Sequence, residues 1–182
     1  SLQERQMEML RERIKGLERK IVEMIRHGQE NMAYADRLHR WTVAALGTAN
    51  PRLLPATLVD ELQRQFMVPQ AALRLWSLAT TYGEEGFAAL VSEDVKSLAG
   101  SLPQPYCGLN TGFEACHWLD EPGTVASIAL VPLRHGSRDE PFGLLVLGSP
   151  DPTRYTTDMG TEFLERIGEL AGAALARLLA PE

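Results

Sequence analysis

Between Thr124 and Ser149 the chain reads TVASIALVPLRHGSRDEPFGLLVLGS. Two apolar runs, Val125 to Leu133 and Phe142 to Leu147, flank a polar loop that carries Gly136 and Pro141, the pattern of a long β-hairpin. Both runs are apolar on each of their alternating faces. Such strands are expected to be covered on both sides, whereas a half-exposed strand would be polar on one. The remainder of the chain must therefore supply a layer of structure on each face.

The longest apolar pattern lies at the other end. Residues 1–48 contain no Pro. Met7, Ile14 and Ile21 stand seven apart, and Leu10, Leu17 and Met24 form a second series offset by three. This is the a/d stripe of a coiled coil, and it predicts a homodimer formed through an N-terminal helix. Arg13 and Glu18 fall on g and e positions, where a parallel partner would pair them. Gly28 on an a position and Asn31 on a d position then loosen the stripe. Gly costs about 1 kcal/mol in a helix interior, and Asn at a core position trades stability for register. Beyond them Met32, Ala35, Leu38, Trp41, Ala45 and Leu46 make a wider face, expected to lie on the chain's own domain. The alternative is a lone amphipathic helix folded back on that domain.

Asn50-Pro51 ends the helix. Pro55 opens a second one carrying Leu58, Leu62 and Phe66, closed by Pro69. Ala71 to Leu78 alternates, with Leu73 and Leu75 on one face and Arg74 and Trp76 on the other, and predicts a strand. Tyr82 to Gly86 is a turn. Phe87, Leu90, Val91, Val95 and Leu98 mark a helix broken near Ser92. Tyr106 to Leu109 is a short strand, and Thr111 to Leu119 reads as helix or as irregular structure. Thr156 or Thr157 caps a final helix, 157–179, with Met159, Phe163, Ile167, Leu170, Ala174 and Leu178 as its apolar stripe. Gly168, Gly172 and Ala176 lie four apart on a neighbouring face. They predict close packing on another helix, the N-terminal one of the same chain or of a dimer mate. The sum is an α+β fold: a mixed or antiparallel sheet with helices on both faces (49–182), preceded by a coiled-coil helix (1–48).

Composition narrows the function. The chain has 182 residues, 45% hydrophobic and 23% charged, with a net charge of −6. Residues 1–48 hold 9 of the 18 Lys and Arg and 7 of the 24 Asp and Glu, so the negative charge sits in the globular part. An acidic domain repels phosphate backbones, so nucleic acid is not an expected partner. No apolar run approaches the roughly 18 residues of a membrane span, and none resembles a leader, so no membrane partner is expected and the cytoplasm is the expected compartment. The chain starts at Ser1 without Met and reads as a fragment. Its two cysteines, Cys107 and Cys116, are too few for a disulfide framework and are expected to be reduced.

No enzyme motif is present. There is no G-x-S-x-G elbow, no phosphate-binding G-x-x-x-x-G-K-[ST] loop and no dinucleotide fingerprint after a strand. His27, His39, His117 and His135 show no metal-ligand spacing, no metal site is expected, and any cofactor is unknown. The remaining candidate is a pocket. Ser127 and Ala129 are small residues on one face of the hairpin's first strand, leaving room for a close helix or a ligand. Trp76, Tyr106, Cys107, Phe113 and Trp118 are the candidates for the opposite wall, with Cys116 nearby.

Several of these residues also carry a resemblance. The stretches Ser1-Leu2-Gln3-Glu4-Arg5-Gln6 with Leu10-Arg11, Tyr106-Cys107-Gly108, Ser127 to Leu133, and Gly143-Leu144-Leu145-Val146-Leu147-Gly148-Ser149 span nearly the whole chain. With Asp151, Arg154-Tyr155, Met159-Gly160-Thr161 and Phe163-Leu164, they resemble the bacterial domain-of-unknown-function family numbered 484, whose fold is similar to the GAF domain, a small-molecule sensor module. The resemblance implies a non-enzymatic sensory or regulatory module, and has a ligand-free structural adaptor as its alternative. Cys116-His117 before a strand is similar to the chromophore-bonding pair of bilin-binding GAF domains, although the Asp-Ile-Pro run of those proteins is missing. A resemblance to GAF-fold methionine-sulfoxide reductases would assign a redox role to Cys107 and Cys116.

Overall fold

A computed structural model describes residues 1–156 and 161–181. It divides into two units, Ser1–His39 and Arg40–Glu182. The first unit is helical throughout and belongs to α1 (Leu2–Leu46), which stops before Asn50-Pro51 as the sequence dictates. Its a/d side chains from Met7 to Met24 are all exposed.

In the second unit the end of α1 is fixed by Trp41 and Ala45, both buried. The Trp41 indole Nε1–H donates to the Leu58 carbonyl at 2.9 Å. Of the wider apolar face expected from Met32 to Leu46, Trp41 and Ala45 are buried, whereas Met32, Ala35 and Leu46 are exposed. The Asn50 side chain accepts from the Arg52 N–H and holds a tight turn, Pro51–Leu53, that leads into α2 (Leu54–Phe66). Leu54, Leu58, Leu62 and Phe66 recur every four residues and are all buried. Met67 ends α2 with φ 53°, and the Arg154 guanidinium caps the Phe66 carbonyl at 2.8 Å.

Four strands follow: β1 (Gln70–Leu75), β2 (Tyr106–Leu109), β3 (Ser127–Leu133) and β4 (Gly143–Ser149). They form one sheet in the order β1-β4-β3-β2, and every neighbour pair is antiparallel, so the mixed alternative is ruled out for this sheet. The hairpin pairs Ser127 with Ser149 and Leu133 with Gly143. All fourteen residues of β3 and β4 are buried, as the two-sided apolar pattern requires. β3 starts at Ser127, because Val125 still closes a tight turn over Pro122–Thr124. β1 starts one residue earlier and ends three residues earlier than expected: Ser77 takes φ 60°, which breaks the extended run, and Leu78 makes only an isolated bridge to Leu179.

Strand alternation sorts the two layers. One face carries α2 against β1 and α4 (Glu162–Leu175) against β3. The other carries α3 (Glu93–Ser101) and the turns Gly86–Ala88 and Glu114–Trp118. α3 begins only at Glu93, because the Ser92 hydroxyl caps it by accepting from the Val95 N–H at 3.2 Å. The segment expected to be helical before Ser92 is a single turn, and the ambiguous stretch before Leu119 is a tight five-residue turn.

The C-terminal helix also departs from expectation. Thr156 lies outside it, while Thr157 and Met159 fall outside the described residues. It runs as α-helix to Leu175 and ends in one tight turn, Ala176–Leu178. Its buried face is Leu164, Ile167, Gly168, Ala171, Gly172 and Leu175, a face centred on the small residues, with Phe163, Leu170 and Ala174 at its margin. The expected packing of Gly168 and Gly172 on another helix, or in a dimer interface, is therefore corrected. A Cβ on Gly168 would lie 2.8 Å from Val131 Cγ1, and one on Gly172 would fall on the Arg134 carbonyl oxygen. The small residues let α4 sit directly on β3 of its own sheet.

Candidate functional site

The sheet separates the sequence-predicted pocket residues into two groups. Ser127, Ala129, Val131 and Leu133 alternate toward α4, and Cys107, paired with Ala129, shares their face. Ile128 and Leu130 point the other way, into a cluster with Val95, Ala99, Ala115, Cys116, Leu144 and Val146. Trp76, Tyr106, Phe113 and Trp118 pack around that second cluster. A single cavity walled by Ser127 and Ala129 on one side and these aromatics on the other is therefore not formed, because the backbone of the sheet lies between them.

The space beside the small residues of β3 is filled. The Ser127 hydroxyl donates to the Asp151 carbonyl at 2.6 Å and accepts from the Tyr155 N–H at 3.3 Å. The Ser149 hydroxyl accepts from the Asp151 N–H. Asp151 in turn accepts from the Thr153 hydroxyl and backbone N–H, and these bonds hold its carboxyl below the usual range. Ser127 thus anchors the chain leaving β4, and Tyr155, buried beside it, has its hydroxyl pushed up by burial. Two polar residues in register at the strand ends were a visible sign; their use as loop anchors was not.

On the opposite face, Tyr106 and Phe113 meet edge to face at 5.1 Å. The Arg74 guanidinium lies 5.0 Å from the Trp118 ring and donates to the Leu90 carbonyl. Cys116 is buried, and its thiol accepts from the Asn110 side chain at 3.4 Å, while His117 is exposed. Burial raises both thiols, Asn110 opposing the effect at Cys116. The two cysteines lie on opposite faces of the sheet, which disfavours exchange between them. Among the described residues, no three His, Cys, Asp or Glu side chains gather as a metal site would need.

Two grooves open beside the β3–β4 loop. One, of about 600 Å³, is bordered by Trp76, Lys96, Ser97, His135, Arg138 and Phe142. Trp76 is the one predicted pocket residue that reaches it. Lys96 is held by Glu93 at 3.3 Å, and strained Ser77 forms part of the rim. Arg134 braces this end by donating to Ala99 and Leu102 at the C-terminus of α3 and to Asp139 in the loop. The second groove, about 670 Å³, runs between α4 and the end of β3, past Pro103, Pro105, Pro132, Glu165 and Glu169. The loop residues carry no separate signal in the sequence, since their polarity is equally that of an ordinary hairpin turn.

The remaining candidate surface is on α1. Met7, Leu10, Ile14, Leu17, Ile21 and Met24 are between 54% and 72% exposed. Single exposed apolar residues are ordinary, but six in a heptad series are not.

The geometry has relatives among solved structures. The GAF domain of an Acinetobacter phosphoenolpyruvate-protein phosphotransferase superposes with a TM-score of 0.54 at 17% identity, covering 79% of this chain and 92% of that one. The A. aeolicus nlh2 GAF domain in an inactive state gives 0.52 at 12% identity, covering 81% and 98%. At such identities the likeness establishes a GAF-like fold. No match among curated proteins is found. No helix among the described residues is long and apolar enough to cross a membrane. The model of one family, described as protein of unknown function DUF484, matches residues 1–180, and with its GAF-like sheet in place the chain belongs to that family.

Proposed function

We propose that this chain is a non-enzymatic regulatory module that homodimerises through α1 and takes a small molecule at its GAF-like domain. The observation that carries the reading is the naked heptad stripe. Fully burying a Leu, Ile or Met side chain contributes about 1.5–3 kcal/mol, and six half-exposed ones on each copy supply ample drive for association. A ligand able to favour one packing of the helices over another would shift the population of two dimer states, which a partner protein could read. The groove bordered by Trp76, Lys96 and Phe142 is the candidate ligand site, since its roughly 600 Å³ falls within the range of small-molecule pockets.

Sedimentation tests the dimer. Leu17→Glu with Ile21→Lys is expected to convert a dimer to a monomer without loss of helical signal in the domain. An unchanged dimer would reject the seam. Native mass spectrometry of protein from its own host tests the ligand, with a co-purified small molecule as the expected result.

A second reading, an adaptor without ligand, is supported by a separate observation. The α3 side of the sheet is filled by Val91, Val95, Ala99, Ala115, Cys116 and Leu119 packed on β3 and β4, leaving ligand chemistry to the periphery.

A further inference from the structure

Arg134 ties two parts of the second unit together. Its guanidinium donates to the Leu102 carbonyl at 2.8 Å and to the Ala99 carbonyl at 3.3 Å, both at the end of α3. Its Nε donates to the Asp139 carbonyl at 2.6 Å, in the β3–β4 loop. The groove of about 600 Å³ lies where this loop meets α3, so both of its sides are fixed in advance, which lowers the cost of holding a ligand. Its apolar lining is Trp76, Pro141, Phe142 and Leu179; Pro141 and Phe142 are buried and the other two half-buried.

The charges of the groove come in opposite pairs. α3 contributes Glu93 and Lys96, and the loop contributes Arg138 and Glu140. With His135 neutral, the lining has no net charge. A phosphate or another multiply charged anion would meet two carboxylates, and a bare cation would meet Lys96 and Arg138. A ligand that carries one charge of each sign meets neither penalty.

The engagement of these groups differs, and the difference orients such a ligand. Lys96, with 32% of its side chain exposed, gives one N–H to Glu93 at 3.3 Å, which leaves two of its three donors. The Trp76 indole N–H and the Ser97 hydroxyl, on the same lining, have no hydrogen-bond partner among the described residues. These are donors for a carboxylate. The Glu140 carboxylate has no ion pair or hydrogen bond among the described residues, and is an acceptor for an ammonium.

We infer that this groove takes a small zwitterion with an apolar side chain, the chemistry of an apolar α-amino acid. Its carboxylate lies on Lys96, Trp76 and Ser97, its ammonium on Glu140, and its side chain on Phe142 and Leu179. The inference rests on the reading of this groove as the ligand site and adds the chemical class. Selectivity follows from having both charges met: a molecule that lacks one leaves a polar group of the groove without its partner.

Fluorine NMR of the full chain carrying 5-fluorotryptophan tests the class. Of the three tryptophans, only Trp76 borders the groove. Trp41 is bonded to Leu58 and Trp118 lies against Arg74, so both serve as internal controls. Leucine, isoleucine, valine, methionine and phenylalanine are titrated singly. The tightest is followed by its deaminated acid and its decarboxylated amine. The expected result is a saturable shift of the Trp76 resonance alone, with each truncated analogue at least about tenfold weaker. Glu140→Gln is expected to weaken the amino acid about tenfold and to leave the deaminated acid unchanged. Equal affinity for the amino acid and both analogues would overturn the zwitterion, as would a Trp76 resonance that none of the amino acids moves. Small molecules released from protein purified from its own host separate the class from the site. A released molecule that moves Trp76 but is not a zwitterion would overturn the class and keep the groove as the ligand site. No such molecule, together with no response to the amino acids, would remove the site and this inference with it.

Discussion

Residues 1–39 and the β3–β4 hairpin are comparably apolar along their patterned positions, yet the chain treats them in opposite ways. Every residue of the hairpin strands is buried, while the six a/d residues from Met7 to Met24 are all exposed. The hairpin finds its cover in α4 on one face and in α3 and the turn at Glu114–Trp118 on the other. The helix of the first unit has one stripe, and that unit by itself offers no layer to receive it. A hydrophobic pattern therefore states only that burial is required. Whether the same chain supplies the cover depends on the layers its other segments form, as α3 and α4 do for the hairpin.

The comparison is broken most strongly by placing a charge in each region. Leu130→Asp puts a carboxylate at a fully buried site among Ile128, Leu144 and Val146, and is expected to abolish folding of residues 40–181 at a cost above about 4 kcal/mol. Loss of the cooperative urea transition checks this. Leu17→Glu places the same kind of charge at a position 58% exposed in the chain. It is expected to leave the domain's transition within about 0.5 kcal/mol of wild type when both are measured dilute enough to be monomeric. If the two substitutions cost the same, the contrast between a buried hairpin and an exposed stripe is wrong.

The next effect down concerns how closely the cover fits. Gly172→Ala brings a methyl group onto the Arg134 carbonyl, and backbone has little freedom to retreat. Overpacking costs about 1–3 kcal/mol, against a gain of about 1 kcal/mol in helix propensity, so net destabilisation is expected. Gly28→Ala in α1 meets nothing within 4 Å in the chain and is expected to gain helix propensity alone. The urea midpoint of the domain should fall for Gly172→Ala and stay in place for Gly28→Ala, which should raise only the helical circular-dichroism signal.

How much of this was legible follows the same division. The hairpin, the ends set by Asn50-Pro51 and Pro55, and the alternation of Leu73 and Leu75 against Arg74 and Trp76 were all readable, because each depends on local chemistry or on a short period. The face of α4 was misread because Phe163, Leu170 and Ala174 outweigh glycines on any hydrophobic scale. Gly168 and Gly172 instead mark the close approach of a neighbouring backbone, which only the tertiary arrangement reveals. The pocket candidates were grouped by size and chemistry, but the sheet parts Cys107, Ser127 and Ala129 from Trp76, Tyr106, Phe113 and Trp118. That separation depends on the register pairing Cys107 with Ala129 and Tyr106 with Leu130, which is a one-residue matter. Arg134 and Arg154, which cap α3 and α2 from far along the chain, carried no local signal.

The smallest effect lies at the loop that Ser127 anchors. Asp151 accepts from both donors of Thr153, so its carboxyl ionises more readily in the folded chain than in the unfolded one. The unfolded chain then binds more protons in the window just below the ordinary Asp value of about 3.9, and stability rises with pH across that window. The contribution is complete above the unfolded value and is lost as pH falls through the folded one. Asp151 is solvent-exposed, so the effect is small, and Asp151→Asn should flatten the pH dependence only slightly. The difference between wild type and variant in urea midpoint should be present at pH 6 and shrink toward pH 3. A difference that instead grew on acidification would mean that the protonated form is the one Thr153 prefers. The covered region would then be held at this corner by Ser127 and Ser149 alone.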